Sequence, residues 1–285
     1  MENSHVKNLS ILVLSALFIS TSGALGKYID MPTSVIIWFR SSLGMLALFL
    51  FCKFQRIEFK KLPQKKRIPF LISAIFLGAH WITYFLSLKA SNVAIGMLSL
   101  FTFPVITALL EPFFSKEKFN PMHMLLGILI LVGIYFIAPE LNFSNQYFIG
   151  IVFGLISALC YSIRILILKS FTTSYDSSII MFYQLVVLSV VLFPVLFLFD
   201  VSNIQSQYPY ILILGLITTA LGHTLFVKSL RYFSAATASI IGSIQPIFGI
   251  IIAFFFLNEV PELNTAIGGF IILTTVLIES FMTKK

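Results

Sequence analysis

His80, Tyr84 and Ser87 are spaced four and three residues apart, so on a helix they share one face. An imidazole, a phenol and a hydroxyl in one stripe can hydrogen-bond a polar ligand, and a neutral imidazole can also titrate close to pH 6.5. His223 stands half a chain length beyond Trp81, which sets a second imidazole against the neighbourhood of the first. Ser99 and Thr102 precede Pro104, and Ser239, Ser243 and Gln245 precede Pro246. Proline lacks a backbone donor and frees the carbonyl four residues before it, here Leu100 and Gly242. Polar side chains around two such breaks make candidate walls for a polar cavity. Their plain alternative is a packing kink lined with small residues.

Two charged groups join this set. Glu111 directly precedes Pro112, where it can bind a cation or proton or pair with Lys116 or Lys118. Arg40 lies well inside an apolar stretch, where it can snorkel, pair with an acid, or attract an anionic group of a substrate. Arg164 and Glu279 fall near the ends of apolar stretches and read as interfacial. Glu117 and Glu259 read as caps for the helices that follow them. The candidates thus divide into ligand-binding residues (His80, Trp81, Tyr84, Ser99, Thr102, His223, Ser239, Ser243 and Gln245) and coupling or gating residues (Glu111, Arg40, Pro104 and Pro246). No metal-ligand spacing occurs, and no cofactor is expected.

The elements that must hold these groups are apolar. The chain of 285 residues is 58% hydrophobic and 11% charged, with a mean hydropathy of +0.99. A soluble domain carries about 25% charged residues. Ten apolar stretches are long enough to be membrane helices: roughly 9–26, 33–52, 69–88, 92–114, 121–138, 147–168, 177–199, 208–227, 233–257 and 264–282. The first is expected to be a retained span rather than a cleaved leader. Cys52 and Cys160 fall inside spans and read as packing residues.

The net charge of +8 does not point to nucleic acid, because it is one-sided. Lys53, Arg56, Lys60, Lys61, Lys65, Lys66 and Arg67 crowd a single loop, and alternate loops bring the basic residues on that side to sixteen of nineteen. Lys27 and Lys89 fall on the opposite side, and Arg40 lies within a span. The positive-inside bias then predicts both termini to be cytoplasmic.

An internal echo organises the ten stretches. Ser87, Leu88, Pro104, Phe113, Phe114 and Glu117 recur at one constant offset, half the chain later, as Ser229, Leu230, Pro246, Phe255, Phe256 and Glu259. Ser15, Ser20 and Lys27 recur as Ser157, Ser162 and Lys169 at the same offset. The fold expected is an all-α polytopic membrane protein, with five helices in residues 1–142 and five in 143–285. An odd number of spans per copy inverts the second copy in the membrane, an arrangement found in secondary transporters.

These features resemble the EamA-type drug/metabolite transporter superfamily. The resemblance rests on Tyr84-Phe85-Leu86-Ser87-Leu88-Lys89, Pro104 and Ser115-Lys116-Glu117. In the second half it rests on Leu225-Phe226-Val227-Lys228-Ser229-Leu230-Arg231, Pro246 and Leu257-Asn258-Glu259. The family usually has Leu-Gly-Glu ahead of the fifth helix, and this Gly is missing from both copies. The resemblance implies a cavity lined by helices one, three, four, six, eight and nine. It also implies a small-molecule substrate, such as an amino acid, moved by alternating access, with export the commoner direction. A bacterial cytoplasmic membrane is the expected location, and the lipid bilayer the expected partner. Whether a proton or a counter-substrate drives the movement, and whether the chain forms a homodimer, stay open. A channel or receptor of the same fold is the alternative. A membrane-embedded enzyme has little support, since the sequence holds no Walker A, His-Glu-x-x-His or Gly-x-Ser-x-Gly motif.

Overall fold

In the computed structural model, which describes residues 2–114, 121–137, 142–233 and 235–283, the described residues form helices and no strands. In chain order these are α1 (Glu2–Tyr28), α2 (Thr33–Phe54), α3 (Gln64–Ala90), α4 (Val93–Leu100), α5 (Phe103–Phe114), α6 (Met122–Ile137) and α7 (Gln146–Lys169). There follow α8 (Ser177–Val191), α9 (Val195–Leu198), α10 (Ile204–Ile213), a π-helical stretch (Leu214–His223), α11 (Thr224–Ser229), α12 (Ala235–Gly242), α13 (Gln245–Leu257) and α14 (Leu263–Thr283). Seven helical runs are long and apolar enough to cross a membrane, and three shorter apolar helices lie at Leu125–Ile137, Gln245–Leu257 and Leu263–Thr275. Their outer faces carry exposed Leu50, Phe54, Leu131, Tyr135, Val190, Phe255 and Phe270. Such a continuous apolar exterior suits lipid and would aggregate in water. The chain is a multi-pass membrane protein.

Four expected spans are interrupted, 177–199 only near its end at Leu192-Phe193-Pro194 and three nearer their centres. The stretch 92–114 splits into α4 and α5 at Phe101-Thr102, and 233–257 splits into α12 and α13 at Ser243-Ile244. The prolines do not interrupt a helix from within. Pro104 is the second residue of α5 and Pro246 the second of α13, where a missing N–H costs no intrahelical bond. The third central interruption lies in 208–227, whose centre winds as a π-helix of ten residues. Such segments are rare and concentrate at functional sites.

Packing follows small residues. α7 runs along α3 and also abuts α4 and α5, while α1 runs along the π-helical stretch and α11 and abuts α12 and α13. α2 packs on α8, and α6 on α14. A β-carbon on Gly154 would overlap that of Ser99, and one on Gly150 would approach the Ser91 hydroxyl to 2.7 Å. The glycines let the α7 backbone sit directly against α3 and α4, where the Ser87 hydroxyl donates to the Gly150 carbonyl at 2.6 Å.

Caps differ from expectation in one instructive case. Glu259 does not cap α14. Its Oε2 accepts from the backbone N–H of Val93 at 2.8 Å, so it caps α4 beside the Asn92 Oδ1–Ile95 N–H bond. Glu117 lies outside the described residues. Asn258 has φ 56° and ψ 28°, the left-handed conformation that ends α13. That conformation favours Gly and tolerates Asn, which accounts for Leu-Asn-Glu standing where the family usually has Leu-Gly-Glu.

Candidate functional site

Six of the helical runs converge on one central cavity. It is lined by Ile19 and Ser22 from α1, His80, Trp81 and Tyr84 from α3, Met97 and Leu100 from α4, Phe101 and Phe103 at the break, Tyr161 from α7, His223 and Gln245. About 20 Å³ is free inside, room for roughly one water. The cavity is closed around its aromatic walls, and any larger guest requires helices to move.

The α3 wall is fixed from behind. His80 Nδ1 hydrogen-bonds Ser157 Oγ at 2.7 Å, and the same hydroxyl lies 2.9 Å from the His80 carbonyl. The His80 ring stacks on Tyr84 at 6.2 Å and tilts against Tyr161 at 4.5 Å. From the second half, the His223 ring meets Trp81 edge-on at 5.2 Å. His80 and His223 are buried and line the same cavity. The Trp81 indole N–H and His223 Nδ1 make no hydrogen bond among the described residues, and the Tyr84 hydroxyl has only Ser22 beside it. Unsatisfied buried polar groups cost about 1–3 kcal/mol each, so two such groups around one small space mark it as a place for a polar guest.

Two guanidinium groups stand behind these rings. Arg40 is fully buried; its Nε donates to Thr219 Oγ1 at 2.9 Å, and its Cζ lies 3.9 Å from the Trp81 ring centroid. Thr219 can accept because its own hydroxyl donates to the Leu214 carbonyl at 2.8 Å, five residues back along the π-helix. Arg164 is also fully buried; Nη2 donates to Gln184 Oε1 at 2.9 Å, and Gln184 in turn donates to Ser73 Oγ at 3.0 Å. Its Cζ lies 5.7 Å from the Tyr161 ring centroid. Arg40 Nη1 and Nη2 and Arg164 Nε and Nη1 have no partner. Among the described residues no acid pairs with Arg40, and Arg40 and Arg164 are both enclosed by protein rather than set at its surface. A charged side chain at bilayer depth costs about 2.5–3.5 kcal/mol or more, and cation–π contact returns about 2 kcal/mol when desolvated.

The remaining candidates are distributed around this centre. Gln245, first residue of α13, reaches the cavity. Ser99 is buried at the α4–α7 contact, and Thr102 turns its hydroxyl to the Ser99 carbonyl at 2.9 Å; neither lines the cavity. Ser243 is buried at the α12–α13 break, and the Ser239 side chain lies outside the described residues. Pro104 and Pro246 are buried at the starts of their half-helices. Glu111 is partly buried on α5, where its charge acts on Lys169; Lys116 and Lys118, the partners expected for it, lie outside the described residues.

Lys169 and Lys27 make contacts that the sequence reading did not anticipate. Lys27 Nζ donates to the carbonyls of Lys89 and Ser91, tying the end of α1 to the end of α3. Lys169 Nζ donates to the carbonyls of Leu230 and Phe233, tying the end of α7 to the turn after α11. The offset from Ser91 to Phe233 equals that from Lys27 to Lys169, so donor and acceptor shift together. Both lysines belong to the internal echo, and that signal is legible in the sequence. Tyr161 is legible only as part of a packing stripe with Gly150, Gly154 and Ser157, and Arg164 only as a charge near the end of an apolar stretch; the packing of α7 on α3 is what buries them.

Comparison with known proteins agrees with this architecture. The chain is 27% identical to a transporter of uncharacterised activity from Archaeoglobus fulgidus, over 94% of each chain. It is 23% identical to a pseudopaline exporter from Pseudomonas aeruginosa, over 96% of each chain. A solved crystal structure superposes with a TM-score of 0.73 over 98% of both chains, at 14% identity, a likeness of fold. The model of the EamA-like transporter family matches residues 7–138 and again 148–281. Twice matched and nearly covered, the chain belongs to the EamA-like transporter family.

Proposed function

We propose that this protein is a secondary carrier exporting a small metabolite across a bacterial cytoplasmic membrane by alternating access between two inverted five-helix units, residues 1–142 and 143–285. The observation that carries the reading is the pair of equivalent closures: Lys27 on Ser91 and Lys169 on Phe233, each link displaced from the other by the offset of the internal echo. Tyr147, at the start of α7, shares a cavity with Lys27 and Ser91, at the ends of α1 and α3. α7 therefore begins where its repeat counterpart α1 finishes, as inversion requires. The helix contacts pair in the same way, with α3 on α7 matched by α11 on α1. Between the two closures lies the cavity with His80, Trp81, Tyr84, His223 and Gln245.

Two related units that can exchange conformations open the cavity to one face and then to the other. The half-helix starts at Pro104 and Pro246 supply the hinges in this scheme. Both termini face the cytoplasm, in keeping with the loop charges. Export is the direction inferred from the exporter relative. The test is flux of a labelled metabolite panel through purified protein in sealed liposomes, with and without a pH gradient. Saturable exchange, accelerated by unlabelled substrate on the far side, is the expected result. Flux that rises linearly with the gradient would make the protein a channel. His223→Ala should reduce exchange at least tenfold while leaving insertion and yield unchanged.

A further inference from the structure

Resting on that carrier reading, we infer that the transported molecule is an organic anion bearing a carboxylate, drawn to the central cavity by Arg40 and Arg164.

The argument begins with charge. No Asp or Glu lines the cavity, and no described carboxylate pairs with either arginine. Described acids near the ends of the helices are engaged elsewhere: Glu111 with Lys169, Glu259 with the Val93 amide and Lys27, and Asp176 with the Ser178 amide. Arg40 and Arg164 stand behind the cavity on different helices, each against the ring of one lining residue, Trp81 and Tyr161. The central field is therefore positive without compensation. Buried charges are retained where something pairs with them. Here the described protein offers neutral partners: Thr219, Gln184, Met181 and the Trp81, Phe85 and Tyr161 side chains. The missing partner is an anion that arrives and leaves.

The donors fit a carboxylate. Both terminal nitrogens of Arg40 are unpartnered, and together they make the end-on fork that binds two carboxylate oxygens at once. Arg164 keeps two further nitrogens that meet no partner among the described residues, and the Trp81 indole and a ring nitrogen of His223 await partners nearby. A flat carboxylate also slides between aromatic rings more easily than a tetrahedral phosphate, and the walls include Phe101, Phe103 and Tyr161. Binding requires the Trp81 and Tyr161 rings to turn aside, which exposes the guanidinium groups as the closed cavity expands.

The test uses matched probes on the full-length protein. Succinate, succinamide and putrescine share a carbon skeleton and differ in charge; glutamate and glutamine, and benzoate and benzamide, extend the set, with glycerol phosphate as the phosphate arm. Ligand-induced shifts in melting temperature of the purified wild-type protein, and counterflow in liposomes, are read for each. The expected result is that carboxylates stabilise and exchange while their amides and putrescine do not. Arg40→Gln and Arg164→Gln should each weaken carboxylate binding about tenfold or more, with Arg→Lys at either site recovering part of it. Exchange of neutral or cationic probes without carboxylates, or of glycerol phosphate alone, would overturn the inference while leaving the carrier intact. No exchange of any probe by a correctly inserted protein would instead remove the carrier reading beneath it. Because the wild-type measurement stands alone, the inference is decided even where an arginine variant does not fold.

Discussion

Asn258 concentrates the relation between residue and fold. A single left-handed residue, φ 56°, lets the chain leave α13 and place Glu259 against the first N–H of α4. Asn reaches this conformation at little cost, whereas a β-branched residue pays about 1–2 kcal/mol. Asn258→Gly should leave the melting temperature unchanged or raise it slightly. Asn258→Val should lower it by the equivalent of about 1–2 kcal/mol and loosen the α4 cap. Equal stability of the two variants would show that the turn is not held in this conformation. The same scale shows where sequence reading ends. His80, Trp81, Tyr84, His223 and Gln245 are identifiable because polar groups in apolar spans are costly and stand out. Arg164 stands out equally as a residue type, yet its place near the end of the apolar stretch suggests an interfacial head group. Its burial depends on α7 lying flat against α3, which no local rule encodes. Ser99 and Thr102 fall outside the cavity for the complementary reason: proximity to a proline says that a helix breaks, not which side faces inward.

Helices are placed by what is absent from them as much as by what they carry. The α7 approach to α4 exists because Gly154 has no β-carbon where Ser99 has one. Gly154→Ala must push the two backbones apart, and overpacking of this kind costs about 1–3 kcal/mol. Loss of that amount is expected in thermal unfolding, together with reduced transport. Ser99→Gly should be tolerated alone, and the double variant Gly154→Ala with Ser99→Gly should recover most of the loss, since the clash then has only one participant. Additive effects would mean that the contact is not the cause. Gly150 and Gly154 are readable from spacing as a packing stripe. The π-helix is not, because Leu214–His223 contains nothing that forbids an α-helix. It is selected by partners: Thr219 turns back to the Leu214 carbonyl and accepts from Arg40, and Thr218 meets Thr21 of α1 at 2.6 Å. A tertiary cause of this sort leaves no trace in so short a window.

At the level of the molecule, the internal echo locates two closures. Each lysine ends a helix of its own unit and donates to a pair of carbonyls that finish another. A hydrogen bond from a charged donor is worth about 1.5–3 kcal/mol, so losing one closure should shift the balance between conformations by about tenfold or more. Under alternating access the two losses act in opposite senses. Lys27→Met should favour the state open at the end of α1 and Lys169→Met the state open at the end of α7. The shift is measurable by placing a reporter at Ser22→Cys in a background with Cys52 and Cys160 replaced by Ala, both being buried and free. Membrane-impermeant maleimide applied to right-side-out and inside-out vesicles reads which face reaches the cavity. The expected pattern is faster labelling from outside with Lys27→Met and from inside with Lys169→Met, with the double variant near the parent. Acceleration from the same face by both single variants would refute the paired-closure mechanism, because two lysines serving one gate cannot belong to oppositely oriented units.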